Sequence, residues 1–334
     1  MLSAVPFIPR RSRILAALLL LFAQAAGPAF AADKVVLGTN WFAEAEHGGF
    51  YQALATGIYR KYDLDVTIKM GGPQVNGIQL LAGGLIDLWM GYDFQTLKAF
   101  EQGVPVVTIA AYFQKDPAAL LAHPDIRSWE DLKGHTLFIS PGSDISFWPW
   151  LKARYGYTEA QKKPYAFSVA PFLADPGSAQ QGYITSEPFA MEQGGVKPTV
   201  LLMADAGYPP YATTLVALRD TVKARADVLN RFVRASAEGW NSYFANPAPG
   251  NALIKKDDPK MSDAQLAFGL AQLKRFGIVT GGDAATLCIG VMTDARWKQI
   301  DAAMVSTGLL SASVDYRQSY TLQFVGGLPL PAGK

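Results

Sequence analysis

The chain has 334 residues, of which 30 are basic and 28 acidic, and half of its residues are hydrophobic. This length is ample to bury one or two hydrophobic cores. A single cysteine, Cys288, excludes an intrachain disulfide and a cysteine metal cluster. The nearly balanced charge gives no electrostatic case for binding nucleic acid or an anionic membrane surface.

The N-terminal segment has the pattern of a secretory signal peptide. Three arginines precede an apolar run at 14–26, and an Ala-x-Ala cleavage site follows at 29–31. We therefore predict that residues 1–31 are removed and that the mature protein is periplasmic; the alternative is an uncleaved N-terminal helix. Because the segment holds three basic residues and no acid, the mature chain has 27 basic and 28 acidic residues, a net charge of −1.

After this segment, short apolar strands alternate with amphipathic helices, which is typical of an α/β fold. The predicted strands, in chain order, are 34–38, 65–70, 85–91, 106–112, 136–140, 166–169, 199–204 and 213–218. The predicted helices are 49–62, 75–83, 94–102, a short one within 125–134, then 149–155, 224–245, 262–276 and 293–308.

The order of these elements predicts two lobes. Residues 32–113 and 212–334 form lobe 1, and residues 114–211 form lobe 2, so the chain crosses between them near 112–114 and 208–211. A two-lobed protein with paired crossings closes on a small molecule by hinge bending. Its ligand lies at the interface, where strand ends and helix N-termini meet.

The stretch that follows the first strand carries the first candidate ligand-binding residues. Asn40, Trp41 and His47 come at its C-terminal end, and two glycines follow His47. Trp41 would stack on a flat ring and His47 would hydrogen-bond its edge, or both would be ordinary half-buried residues. Because the other two histidines fall in lobe 2, we interpret His47 as a neutral polar residue that lines the ligand-binding cleft, rather than as a base or a metal ligand.

Further candidates follow later strands or lie on the crossings. Each has a structural alternative: a helix cap for Asp93, an ion pair for Glu187, hinge packing for the two tyrosines. Trp148 is preferred to Trp150, which is expected to pack into its own lobe. These predicted ligand-binding residues are Gly72, Gln74, Asp93, Gln114, Trp148, Glu187, Tyr208 and Tyr211.

The candidates share a chemical character. They are aromatic rings, neutral amides, a histidine and one or two acids, with little cationic charge. A sulfonate, nitrate or phosphate would need Arg, Lys or several aligned backbone amides. The set suits a planar heteroaromatic with an amidine-like edge, which amides and carboxylates match with paired hydrogen bonds.

Several motifs occur in a characteristic order along the chain. They are Trp41, His47, Gly49, Tyr51, Ala53, Gly57, Tyr59, Leu64 and Val66, the Leu81-Ala82-Gly83-Gly84-Leu85-Ile86-Asp87 turn, Asp131-Leu132-Lys133-Gly134, and Ser186-Glu187-Pro188-Phe189. In these motifs the chain resembles the thiamine-pyrimidine-precursor binding proteins, whose wider group includes the fungal-type hydroxymethylpyrimidine synthases and the nitrate, sulfonate and taurine binding proteins. The resemblance covers nearly the whole mature chain. It departs at 43–46, where Ala-Glu-Ala-Glu replaces the proline and asparagine typical of the pyrimidine binders.

The resemblance implies a type II periplasmic binding fold that delivers a small ligand to an ABC importer. We predict a monomeric solute-binding protein for a planar heteroaromatic, a thiamine pyrimidine precursor being the first choice, with a permease as partner and no cofactor, catalytic residue or metal ligand. Riboflavin, an aromatic carboxylate or a sulfonate are alternative ligands. The alternative class is an enzyme, a pyrimidine synthase or a hydrolase, but the synthases carry a cysteine-rich motif that this chain lacks. A ligand sensor is a third possibility.

Overall fold

The computed structural model describes Met1 and residues 31–328, and within them ten strands form two five-stranded sheets. The predicted signal peptide lies almost entirely outside the described residues. The strands are β1 Asp33–Gly38, β2 Leu64–Lys69, β3 Leu88–Gly91, β4 Val106–Phe113, β5 Ala118–Ala122, β6 Thr136–Ile139, β7 Lys162–Pro164, β8 Ser178–Tyr183, β9 Thr199–Leu202 and β10 Ala212–Leu218.

The first sheet has the order β2-β1-β3-β10-β4 and the second has the order β7-β6-β8-β5-β9. In the first, β1, β2 and β3 are parallel, and β10 runs antiparallel between β3 and β4. In the second, β6, β7 and β8 are parallel, and β5 runs antiparallel between β8 and β9. The two α/β sheets confirm the predicted fold class.

Twelve α-helices accompany the sheets in the described part of the chain. They are α1 Gly48–Ala55, α2 Ile58–Lys61, α3 Gly77–Ala82, α4 Asp93–Glu101, α5 Phe147–Tyr155, α6 Ala170–Ala174, α7 Glu187–Gln193, α8 Arg219–Ala224, α9 Ala226–Ala245, α10 Ala248–Asp257, α11 Asp263–Arg275 and α12 Asp294–Ser306. None of the described helices is long and apolar enough to cross a membrane.

One hydrophobic cluster extends across both sheets. Leu121 and Ile184 from the second sheet and its connections belong to the same connected cluster as Leu215 of β10 and Leu270 of α11. A separate cluster around Leu120 and Trp148 lies on the second sheet alone. The halves therefore share apolar packing in this conformation, in addition to the two chain crossings.

The glycine pair after His47 is a packing position for helix α9. A Cβ on Gly48 would lie 2.1 Å from the Tyr243 ring, and one on Gly49 would lie 2.3 Å from Trp240 Cγ. The start of α1 can approach α9 this closely only because both residues lack a side chain. The pair thus has a structural use that the sequence did not reveal.

Most of the predicted elements are present, with several differences. Residues 166–169 are not a strand, because β7 ends at Pro164 and Phe167 has a left-handed φ of 57°. Strands β5, β7 and β8 were not predicted, and neither were the short helices α6, α7 and α8. Helix α10 was also missing from the prediction, which went directly from a helix at 224–245 to one at 262–276.

Arg296 of α12 binds both segments that connect the sheets. Its Nε donates to the Pro209 carbonyl, and its Nη2 donates to the Gln114 carbonyl at 3.1 Å. The chain passes from β4 to β5 at 114–117 and from β9 to β10 at 203–211. A single guanidinium therefore joins the outgoing and the returning segment.

Candidate functional site

His47 is buried and neutral. It closes a one-turn 3-10 helix, Ala45–His47, between β1 and α1. Its Nδ1 accepts a hydrogen bond from the Glu44 backbone N–H at 3.3 Å, which leaves Nε2 as the protonated nitrogen facing Asn40 Oδ1, also at 3.3 Å. Burial lowers the pKa of His47 to about 4, although the Glu44 contact opposes this shift. The imidazole therefore carries no charge at neutral pH.

The ring of Trp41 contacts Phe167, which follows β7 of the second sheet. Their centroids are 4.9 Å apart, with the planes inclined by 47°. Phe167 also contacts Tyr165 at 5.4 Å and is 54% exposed, so this aromatic contact lies at the surface. It joins the end of β1 to the loop after β7, where the two sheets face each other.

Glu187 is held at the first residue of α7. Its Oε1 accepts a hydrogen bond from the Tyr165 hydroxyl at 2.8 Å, and its Oε2 accepts one from the Tyr183 N–H at 2.7 Å. Burial raises the pKa of Glu187, and these two hydrogen bonds oppose that shift. Trp41, Phe167, Tyr165 and Glu187 thus form a continuous series of contacts from an aromatic face to a carboxylate.

Two further carboxylates face this group from the Ala-Glu-Ala-Glu segment. Glu46 accepts a hydrogen bond from the Thr185 hydroxyl, which lies between Tyr183 and Glu187 on the opposite side. Burial raises the pKa of Glu46 to about 7, with Glu187 adding to the shift. Burial also raises the pKa of Glu44 well above its usual value, reinforced by Glu46 and Glu187.

We call Glu44, Glu46, His47, Tyr165, Tyr183, Thr185 and Glu187 the interlobe cluster. None of the ion pairs found among the described residues includes one of its three glutamates. His47, the only basic member of the cluster, is neutral. The cluster therefore offers acceptors and acids without a compensating cation, and among residues 31–328 no group of acids, histidines and cysteine is arranged to hold a metal.

Asp93 and Gln114 lie in the crossing region, with most of their hydrogen-bonding capacity already used. The Asp93 carboxylate accepts from the Phe94 and Tyr211 backbone N–H groups, both at 2.6 Å, and burial raises its pKa to about 7. Gln114 Nε2 donates to the carbonyls of Ala111 and Val291, at 2.9 Å each, while its Oε1 has no partner. Both side chains thus brace the connecting segments.

The two hinge tyrosines are also buried. Tyr211 donates its hydroxyl to Asp283 at 2.6 Å, and the Arg296 guanidinium lies 5.2 Å from its ring centroid. Tyr208 contacts the Trp150 ring at 5.2 Å. These contacts fit the hinge-packing alternative that the sequence left open for both.

The structure corrects the choice between the two tryptophans of α5. Trp148 is fully buried in the core of the second sheet, and its Nε1 donates to Glu159 at 2.9 Å. Trp150 is instead partly exposed. The prediction that Trp148 lies in the cleft is therefore wrong, whereas Trp150, two residues further along α5, packs against the same second-sheet cluster, as expected.

The loop after β2 is only partly engaged. Gly72 is buried beside Phe42, whose ring a Cβ at this position would meet at 3.2 Å. Gln74 is exposed. Asn76 caps α3 by accepting from the Gln79 N–H at 3.2 Å.

Sequence reasoning missed six contributors to this region: Glu44, Glu46, Tyr165, Phe167, Tyr183 and Thr185. The acids at 44 and 46 were noticed only as a departure from the resemblance. The others belong to segments that were assigned as a different element or as none. A polar-aromatic pattern at the ends of β7 and β8 was the available signal.

A surface groove lies elsewhere, lined by the end of α9, by α10 and by the start of α11. Its two charged residues, Lys255 and Asp263, pair with each other at 2.6 Å. Because these charges compensate each other, the groove shows no polar group that needs a ligand. The interlobe cluster is the candidate site.

Comparison with known proteins now decides the family. The family described as NMT1/THI5 like matches residues 44–249, which is more than half of the chain. The chain belongs to the NMT1/THI5-like family. This membership confirms the resemblance found in the sequence, and the matched range contains the whole interlobe cluster.

Two curated relatives of this family member are named as binding proteins. The chain is similar to riboflavin-binding protein RibY of Chloroflexus aurantiacus, with 27% identity over 310 residues, covering 88% of this chain and 87% of the relative. It is also similar to the formylaminopyrimidine-binding protein of Halalkalibacterium halodurans, with 28% identity over 239 residues, covering 68% and 72% of the two chains.

The fold of this family member matches solved periplasmic binding proteins. The periplasmic aliphatic sulphonate binding protein SsuA of Escherichia coli superposes with a TM-score of 0.66 at 16% identity, covering 86% of this chain and 91% of that one. At such low identity the similarity shows the fold alone. The type II periplasmic binding fold expected from the sequence is thereby confirmed.

Proposed function

We propose that this protein is the solute-binding component of an ABC importer and that it captures a small planar heteroaromatic ligand by hinge closure. A thiamine pyrimidine precursor is the ligand we favour. The observation that carries the proposal is the series of contacts from the Trp41 ring through Phe167 and Tyr165 to the Glu187 carboxylate.

The chemistry of this series suits an aminated ring. An aromatic ligand is favoured against the faces of tryptophan and phenylalanine. A carboxylate held by two donors keeps its remaining acceptor positions for N–H groups, such as the edge of an aminopyrimidine. Asn40 and neutral His47 lie beside Trp41 and add hydrogen-bonding groups without charge.

The three glutamates, one buried and two partly buried, argue against an anionic ligand. Glu44, Glu46 and Glu187 would repel a sulfonate, a nitrate or an aromatic carboxylate in a region of low dielectric constant. This holds although the fold matches a sulphonate binder, because the fold does not determine the ligand. Riboflavin is the second candidate, favoured by the 27% identity to RibY over 88% of the chain.

An enzyme on the same fold is the alternative class. A pyrimidine synthase would need a reactive cysteine or a comparable group at the site. The lone Cys288 is buried beside Val325, and burial raises its thiol pKa, so it is a poor nucleophile. The named relatives are binding proteins as well, which supports transport over catalysis.

The protein is exported, and its two lobes move relative to each other when the ligand binds. Residues 1–31 serve as a cleaved signal peptide, and the mature protein works as a periplasmic monomer that delivers its ligand to a membrane permease. Residues 32–113 and 212–334 move as lobe 1, and residues 114–211 move as lobe 2. Ligand entry requires the Trp41–Phe167 and Glu46–Thr185 contacts to separate.

Calorimetry with purified protein tests the proposal. A hydroxymethyl-substituted aminopyrimidine or riboflavin should bind and be recovered chemically unchanged, whereas an alkanesulfonate should not bind. Trp41→Ala should weaken binding by about 1–3 kcal/mol, while Leu85→Ala, on an exposed residue of lobe 1, should leave affinity unchanged. Binding of the sulfonate alone, or equal affinity in Trp41→Ala, would overturn the assignment.

A further inference from the structure

The interlobe cluster holds three glutamates that face one another from the two halves of the molecule. Glu44 and Glu46 come from the segment before α1, and Glu187 begins α7. The Glu46–Thr185 hydrogen bond brings the two sides into direct contact. Three acids in one buried region repel one another unless a cation or protons compensate them.

The surroundings of Glu46 supply no such cation. Its titratable neighbours are Glu44 and neutral His47 on its own segment, Tyr183 and Glu187 from the opposite side, and Tyr243 of α9; Asp258 after α10 acts on Glu44. All of these are acidic or neutral. The ion pairs of the described residues leave the three glutamates out.

A second, independent feature points to a ligand at this place. Gln180 of β8 is fully buried, and neither its Oε1 nor its Nε2 has a hydrogen-bond partner. Its amide lies close enough to the Tyr165 hydroxyl to lower the pKa of that group, although the two do not meet the geometry of a hydrogen bond; burial and Glu187 raise the same pKa more strongly. Burying an amide whose oxygen and nitrogen both lack hydrogen-bond partners costs folding free energy. A polar ligand group beside Tyr165 would supply such a partner and stabilise the protein.

We infer that the site takes its ligand as a cation, whose positive charge lies between Glu44 and Glu46 on one side and Glu187 on the other. This inference rests on the proposed function and adds the charge of the ligand to it. A protonated amine, or a protonated aminated ring, supplies the missing positive charge. Its N–H groups also match the acceptors that surround it, with the Gln180 amide completing the polar contacts.

Binding of a cation should release a proton from the site. Burial raises the pKa of Glu46 to about 7, so its carboxyl is partly protonated in the unliganded protein at neutral pH. A bound cation favours the charged carboxylate and expels that proton. Affinity for a cation should therefore increase as the pH rises from about 6 to about 8.

The test uses two aminopyrimidines that differ in one group: one bears an aminomethyl substituent, which is an ammonium ion at neutral pH, and the other bears a hydroxymethyl substituent. Affinities are measured by calorimetry in buffers of different ionisation enthalpy, which gives the number of protons released. We expect the aminomethyl compound to bind at least about tenfold more tightly and with greater proton release.

Two variants separate the charge effect from a change in folding. Glu46→Gln keeps the shape of the side chain and should reduce the preference for the aminomethyl compound by about tenfold, while Glu192→Gln, an exposed position at the end of α7, should retain it. Thermal unfolding of both variants confirms that they are folded.

Equal or weaker binding of the aminomethyl compound overturns the inference, as does an unchanged preference in Glu46→Gln. If the neutral compound binds tightly and the aminomethyl compound binds no more tightly, the proposed function is still supported. Failure of both aminopyrimidines and of riboflavin to bind would overturn the two together.

Discussion

Arg296 and Tyr211 form a clamp on the two crossings. The guanidinium lies 5.2 Å from the ring centroid while it donates to the carbonyls of Pro209 and Gln114. Tyr211 is fixed in turn by its hydroxyl bond to Asp283. One side chain thus sets the spacing between the two segments about which any hinge motion must occur.

Replacing Arg296 by alanine should lower the free energy of unfolding by about 3 kcal/mol, because two charge-assisted, partly buried hydrogen bonds to backbone carbonyls are lost. Urea unfolding measures the change. Arg317→Ala serves as the control, since Arg317 is 70% exposed and makes two weak contacts at the surface, 3.9 Å to Asp315 and 4.9 Å to the ring centroid of Tyr316. It should change stability by less than about 0.5 kcal/mol; equal effects of the two variants would show that the clamp contributes nothing.

Gly49→Ala should destabilise the protein by about 2–3 kcal/mol, because its methyl group would lie 2.3 Å from Trp240 Cγ and push α1 away from α9. Gly142→Ala is the matched control, with its nearest neighbour, Ser140 Oγ, at 3.8 Å. Thermal and urea unfolding give both values. A Gly49 variant as stable as the Gly142 variant would mean that the helix contact can relax.

Phe167 combines a left-handed φ of 57° with the ring contact to Trp41. Phe167→Ala and Phe167→Gly both remove the ring, but only glycine removes the conformational strain. The glycine variant should be more stable than the alanine variant by roughly 0.5–1 kcal/mol. Both variants lack the ring, so the difference between their free energies of unfolding in urea reports the backbone strain alone. A more stable alanine variant would show that no strain is present.

The pH dependence of stability should reveal the buried glutamate. The pKa of Glu46 is raised from 4.5 to about 7, so the folded state binds this proton more tightly than the unfolded state. The resulting contribution, about 3 kcal/mol, is fully present below about pH 4.5 and is lost as the pH rises through about 7.

Glu46→Gln should remove this part of the pH dependence. The measured quantity is the difference in free energy of unfolding between about pH 5 and about pH 8, in the wild type and in the variant. Asp93 and Asp116 have pKa values raised to about 7 by burial and contribute equally to both proteins, so they cancel. An identical pH dependence in both proteins would show that Glu46 does not titrate there.

The regular part of the fold followed from hydrophobic patterning, and the exceptions have physical reasons. Strand β8 reads Ser-Ala-Gln-Gln-Gly-Tyr, which has no apolar alternation, because one of its faces carries the unpartnered Gln180 and its other face carries Gln181 bonded to Ser140. The 166–169 segment has apolar residues but a backbone that cannot continue a strand at Phe167.

The candidate site was less predictable than the fold, because its contacts join distant parts of the chain. Glu46 and Thr185 are 139 positions apart, and only the packing of the two sheets brings them together. Trp148 and Trp150 are only two residues apart on a single helix, so the sequence could not tell which ring lies in the core of the sheet. Residues directly after strands, such as Trp41 and His47, were accessible to prediction because strand ends collect at one edge.

The position of β10 affects the order in which the molecule can form. Thr214 pairs with Gly91 on one side and Ala111 on the other, although it follows Gly91 by roughly 120 residues. During synthesis the first sheet therefore lacks an inner strand until the entire second sheet has been made. Closing so long a loop is entropically costly, so we expect the second sheet to nucleate folding and the first to complete it.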